Sequence, residues 1–239
     1  MRWARRSVRI TAKISAIKQE TPTIKSFTFD LGGQDFPFRS GQWVDFFLRI
    51  EGAEAVGGFS ITSNPTHKEY IDLAIKLEGH NPVTNHLHNM ARVGDEVDIQ
   101  IGGDFYYTRE MGDSIVLLGG GIGLTPLMSI VRYVHEDAPS TKLDLVYSVR
   151  NPDELLFREE LEATAKRNSR IRNIFSITRP GGSWEGRTGR IDAKLLMDEG
   201  IDLNAIFYIC GPPEMIQSML AMLRGLGVSE SRIRYEQWW

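Results

Sequence analysis

The chain has 239 residues, 41% hydrophobic and 25% charged, and a net charge of −3. That length supports one large packed core or two small ones, and the slight acidity gives no electrostatic footing for nucleic acid. A lone cysteine, Cys210, excludes an internal disulfide and any four-cysteine metal or iron–sulfur site, and no apolar run approaches the ~18 residues of a membrane helix.

The basic start, "MRWARRSVRITAK", carries Val8, Ile10, Ala12 and Ile14 in alternation with polar residues, which predicts a strand with a charged outer face. The cysteine usage fits a reducing compartment, the cytoplasm. The alternative is a mitochondrial matrix protein whose basic start is the remnant of a transit sequence.

From Val8 to Gly103 the pattern has period two. "SVRITAKI", "IKSFTFDL", "QWVDFFLRI", "GGFSIT", "YIDLAIKL" and "DEVDIQI" predict six short strands between turn-forming stretches, hence a small antiparallel barrel. One helix is predicted inside it, at "PVTNHLHNMA", with Pro82 in its first position and Val83, Leu87 and Met90 as its apolar residues. His86 and His88 diverge on such a helix and make no metal pair.

After Met111 strands "SIVLLG", "KLDLVYSV", "RNIFSIT" and "AIFYICG" alternate with helical stretches "LTPLMSIVRYVHE", "PDELLFREELEATAKR" and "PPEMIQSMLAMLRGLG". That alternation predicts a doubly wound parallel sheet covered by helices. The expected domains are therefore 1–110, an antiparallel β-barrel, and 111–239, an α/β unit.

Two features lie at strand ends in the second half. "LGGGIGLTP" (118–126) does not fit the dinucleotide fingerprint G-x-G-x-x-G in either register, since Leu124 or Pro126 stands where its last glycine belongs. It still places glycines between a strand and a helix, where a ligand meets backbone closely and free N–H groups face a pyrophosphate. In "YICGPPEM", Cys210 closes a strand, Gly211 turns, and Pro212 and Pro213 start a helix.

"GGGIGLTPLMS" followed about ninety residues later by "CGPPEM" resembles the nucleotide-binding half of the ferredoxin–NADP reductase superfamily, whose turn reads G-G-x-G-x-x-P. The resemblance spans almost the whole chain. It implies a flavin-binding barrel before that half, FAD as cofactor (FMN less favoured) and NADH or NADPH as cosubstrate. Pyrophosphate contacts fall to Gly120, Gly121, Ile122, Gly123, Thr125 and Pro126, and nicotinamide contacts to Cys210, Gly211 and Pro212.

The family's flavin motif, Arg-x-Tyr-Ser, corresponds to Gly57, Gly58, Phe59 and Ser60, with Ile61 and Thr62 following. Ser60 matches the serine that hydrogen-bonds the reactive flavin nitrogen, Phe59 retains a ring to pack on the isoalloxazine, and Gly57 has lost the arginine that pairs with the flavin phosphates. A charge-assisted contact is worth roughly 1.5–3 kcal/mol, so its loss implies ~10- to 100-fold weaker flavin unless another group substitutes. The second flavin motif is "GHNPVTNHL": Thr84 and the backbone around Pro82, Val83 and Asn85 are expected to hold phosphate, with His86 or Arg92 supplying charge.

At "RIRYEQWW" the resemblance places Glu236 beside the nicotinamide and a terminal indole, Trp238 or Trp239, against the flavin; a terminal strand on the core is the alternative. Ser60, Cys210, Glu236 and Trp238 are the expected catalytic group, with the cysteine not a nucleophile. Ser148, Arg150, Thr178 and Arg179 follow strands and are candidates for the ribose end of the nucleotide, leaving NADH and NADPH open; Arg187 and Arg190 in "WEGRTGR" add charge nearby. The implied activity is passage of hydride from NAD(P)H to FAD and of electrons to a separate acceptor, a protein, quinone or small molecule. The competing reading is a nucleotide-binding sensor or interaction module that has lost stable flavin binding.

Overall fold

A computed structural model describes residues 8–50, 52–182 and 184–237. The first half contains β1 (Ile10–Thr21), β2 (Ile24–Asp30), β3 (Trp43–Ile50), β4 (Ala53–Ser60), β5 (Tyr70–Lys76), α1 (Pro82–Asn89) and β6 (Glu96–Gly102). The strands pair antiparallel in the order β4-β3-β6-β1-β2-β5. A bridge between Ile61 and Leu73, with Thr62 N donating to Asp72 O at 2.8 Å, returns β5 to the end of β4 and closes a barrel.

The alternation explains the closure. Val44 and Phe46 of β3, Ile71, Leu73 and Ile75 of β5, and Val97 and Ile99 of β6 send every second side chain into one interior. Pro82 opens α1, and Val83 and Leu87 plug that interior. All six expected strands and the helix form. β1 starts at Ile10 and runs past the expected Ile14 to Thr21, because pairing with β2 sustains a stretch whose own pattern has lapsed.

A 3-10 turn (Arg109–Met111) leads to β7 (Ser114–Gly120), a second 3-10 turn (Gly121–Gly123), α2 (Leu124–Glu136), β8 (Lys142–Val149), α3 (Arg158–Arg167) and β9 (Ile171–Ile177). Then come β10 (Arg187–Thr188), α4 (Ala193–Asp198), β11 (Ile206–Cys210), α5 (Pro213–Gly225) and β12 (Ile233–Glu236). Every pairing is parallel, in the order β10-β9-β8-β7-β11-β12. Along β7, Ile115 and Leu117 enter the core under α2, while Val116 and Leu118 enter the one under α4 and α5. Burial on both faces is why this strand reads as an unbroken apolar run.

The helix expected across 152–167 is broken. Pro152–Glu154 form a 3-10 turn, Phe157 takes φ 53, and α3 begins only at Arg158. Leu155 and Leu156 are both buried in the α2-side core. Consecutive helical residues point about 100° apart, so a regular helix does not bury both. β10 and α4 were not anticipated, and β12 is the terminal strand held open as the alternative for "RIRYEQWW". Phe105 and Tyr107, from the connection between the halves, and Ala74 of β5 are buried in the same α2-side core, so the halves share apolar packing.

Candidate functional site

From β7 the sheet grows outward through β8, β9 and β10, and the chain then returns to the opposite side of β7 as β11. The carboxyl ends of β7 and β11 flank that switch point, where open α/β sheets hold ligands. Cys210 pairs with Gly119 there.

The glycine turn sits on this point for a steric reason: a Cβ at Gly123 would run into the backbone carbonyl of Cys210 and lie 2.6 Å from Gly211 N. Without that atom the start of α2 closes against the end of β11. The turn's carbonyls are engaged, Ile122 O by Thr125 Oγ1 at 2.9 Å and Gly121 O by the Tyr147 hydroxyl at 3.0 Å. Among the described residues no protein acceptor takes the Ile122 amide, which leaves it for an anion.

Around this point opens a cleft of about 1130 Å³ between barrel and sheet. It is lined by Gly58, Phe59 and Ser60 from β4, by Thr84, and by Gly120, Gly121, Ile122, Gly123 and Thr125 from the turn. Ser148, Arg150, Thr178, Arg179, Cys210, Gly211 and Pro212 complete the expected set that it brings together. Ser60 is 5% exposed, and among the described residues its hydroxyl has no hydrogen-bond partner.

Several expected contacts are not on the cleft wall. Ile61 is in the barrel interior, and Thr62 turns its hydroxyl to Asp72 O at 3.1 Å. Val83 is buried in the barrel, Pro82 and Asn85 lie off the wall, and Pro126 is buried within α2. The phosphate grip expected at the start of α1 is already taken: Asn81 Oδ1 accepts from Val83 N at 2.9 Å and Thr84 N at 3.2 Å, and Asn85 N donates to Asn81 O. The Thr84 hydroxyl donates to Glu78 O at 3.1 Å. Neither His86 nor Arg92 reaches the cleft, and Arg187 is held by Glu199 and Asp198.

The Phe59 ring meets Phe46 edge-on with centroids 5.7 Å apart. It also lies over Gly57, where a Cβ would come 2.9 Å from the ring and 3.2 Å from Val83 Cγ1. The space beside position 57 is thus occupied by an aromatic ring.

At the end of β11 the backbone of Glu236 pairs with Cys210. Glu236 Oε2 is buried without a hydrogen-bond partner, and burial lifts the carboxyl's pKa to about 8. Burial first, and the Glu236 charge second, push the Cys210 thiol well above its ordinary value. At neutral pH both groups are uncharged, so the cysteine is no nucleophile. A protonated carboxyl beside a neutral thiol offers hydrogen bonds to an uncharged polar group such as a carboxamide. Glu236 itself stands behind the cleft wall, and Trp238 and Trp239 lie outside the described residues.

Sequence reasoning missed Lys76, Asn81, Glu154 and Met215, all of which line the cleft, as does Arg190, which was expected to add charge nearby. Lys76 had a signal: it continues the Asp72–Ala74 alternation of β5, the face turned away from the barrel interior.

An oxidoreductase FAD-binding domain model matches residues 11–106, and an oxidoreductase NAD-binding domain model matches residues 117–220. Oxidoreductase NAD-binding domain-containing protein 1 of Pongo abelii is 34% identical over 98% of this chain and 81% of its own. Ferredoxin–NADP reductase B of Sorangium cellulosum is 29% identical over 95% of this chain and 96% of its own. The flavohem-like FAD/NAD-binding domain of nitric oxide dioxygenase from Vibrio cholerae superposes with a TM-score of 0.86 at 23% identity, covering 97% of this chain and 98% of its own.

Proposed function

The chain belongs to the ferredoxin–NADP reductase superfamily of FAD- and NAD-binding oxidoreductases, and from that membership we propose that it oxidises NAD(P)H through bound FAD and passes electrons to a separate acceptor. The observation that carries this reading is the single cleft. It joins Ser60 of the barrel to the open Ile122 amide of the Gly121–Gly123 turn and to Cys210.

When bound, FAD supplies the two-electron to one-electron conversion that no side chain of this protein can perform. The fit rests on two polar groups that the protein leaves unused: the Ser60 hydroxyl on the barrel side and Glu236 Oε2 behind Cys210. Ser60 positions a ring nitrogen, the turn and the start of α2 hold the nucleotide pyrophosphate, and Cys210 backed by Glu236 orients the nicotinamide carboxamide.

At the far end, Arg150, Arg179 and Arg190 face the cleft against Glu154, whose Oε1 accepts from Asn151 at 3.0 Å. That surplus of positive charge favours the extra phosphate of NADPH over the bare ribose of NADH.

Purified protein equilibrated with FAD is expected to be yellow and to bleach under anaerobic NADPH, more slowly under NADH. A chain that binds nucleotide yet rejects FAD removes the redox reading and leaves a nucleotide-binding module. The blocked position 57 and the capped start of α1 are what favour that second reading.

A further inference from the structure

The glycine turn is held from behind by a side chain that does not line the cleft. Tyr147 of β8 is fully buried beside Gly119, with which it pairs, and its ring meets Phe175 edge-on with centroids 6.5 Å apart. Neither the pairing nor the ring contact needs a hydroxyl, and burying one costs free energy that a phenylalanine would not incur. That hydroxyl donates to Gly121 O at 3.0 Å.

We propose that Tyr147 is a positioning residue that aims the Ile122 amide at the nucleotide pyrophosphate, an inference that rests on a nicotinamide nucleotide being bound at this turn. The two groups belong to one peptide unit. A trans peptide is planar, with its C=O and N–H pointing opposite ways. Gly121 takes φ 55, and a glycine by itself leaves the peptide that follows it free to turn. The Tyr147 hydroxyl and the Leu124 amide both donate to Gly121 O and fix that carbonyl inward. The Ile122 N–H at the other edge of the unit, without a protein acceptor among the described residues, is thereby turned to the cleft wall that Gly121 and Ile122 form. A hydrogen bond accepted by the carbonyl also polarises the peptide and strengthens its N–H as a donor.

The hydroxyl remains a donor, because burial drives its pKa far above the ordinary value against the opposing influence of the nearby Leu156 amide. The broken helix puts that amide there. A regular helix through 152–167 would direct the Leu156 N–H to the carbonyl of Pro152. The 3-10 turn ending at Glu154 and the φ of 53 at Phe157 leave it beside Tyr147 instead.

Tyr147→Phe keeps the ring and removes only the hydroxyl. Wild type and variant are titrated calorimetrically with NAD+ and NADP+, which carry the pyrophosphate, and with adenosine 2′-phosphate, which lacks it. Tyr147→Phe should raise the dissociation constants of both dinucleotides about 3- to 10-fold and leave that of adenosine 2′-phosphate unchanged. An equal loss on all three ligands would show a merely structural role, and unaltered dinucleotide binding would show a hydroxyl without influence on the turn. Either result overturns the assignment and spares the nucleotide reading. A wild type that binds neither dinucleotide overturns both.

Discussion

Glu236 shows how a single side chain couples the site to folding. Its carboxyl is held protonated to about pH 8 by burial, against about 4.5 when solvated. Between those values the folded chain binds a proton that the unfolded chain releases, so stability is full below about pH 4.5 and declines as pH rises through about 8. Glu236→Gln keeps the shape and removes the titration. Melting temperatures of wild type and variant, followed from pH 5 to 9, should separate with rising pH, the wild type falling relative to the glutamine form. Parallel curves would refute the buried, protonated state. The residue's position was legible from "YEQWW" through the family resemblance, but its charge state was not, because burial comes from neighbours the sequence does not display. The turn at Gly121–Gly123 was legible for the opposite reason: its constraint is local, a glycine forced by backbone approach.

Elements with a strong period were readable in order. The six barrel strands, β7, β8, β9, β11, α2 and α5 all announce themselves by alternation or by apolar runs. β10 and β12 are two and four residues long and exist through pairing with a neighbouring strand, so neither carries a pattern of its own. α4 had a legible start, since Asp192 Oδ1 caps Leu195 N at 2.7 Å, but its six residues are too few to show a period. The contact between halves was equally hidden. Arg132 of α2 makes a paired contact with Glu160 of α3 at 2.7 and 2.8 Å and reaches Thr62 O of the barrel at 3.0 Å, across seventy residues of chain. It also stands 5.1 Å from the Phe157 ring, the residue that breaks the expected helix. One guanidinium thus fastens three elements. Arg132→Met leaves the Thr62 carbonyl and the Asp72 carboxylate without their cation, a loss of about 2–3 kcal/mol. Urea unfolding should show the midpoint falling by that amount with an unchanged slope; a variant as stable as wild type would show the latch to be incidental.

At the scale of the molecule the question is whether barrel and sheet unfold separately. Two period regimes in the sequence suggest two units, yet the α2-side core takes Ile24, Ala74, Phe105 and Tyr107 from the barrel and the connection, so part of each half's burial is shared. Exposing those side chains on undocking would uncover apolar surface at about 25 cal/mol per Å², a cost that ties the halves together. The Asn64 side chain adds hydrogen bonds to Glu136 at 2.8 Å and Asp137 at 2.7 Å, and Ser129 donates to Ser63 O at 2.7 Å. Calorimetry should therefore show one transition for the chain. FAD occupying a cleft built from both halves must raise that transition whole: at a hundredfold excess over its dissociation constant the gain is about 2.7 kcal/mol, or roughly 5–10 °C for a chain of this size. Two resolved transitions, with FAD moving the lower or the upper alone, would mean that the barrel binds flavin as an independent unit and that the shared core does not couple the halves.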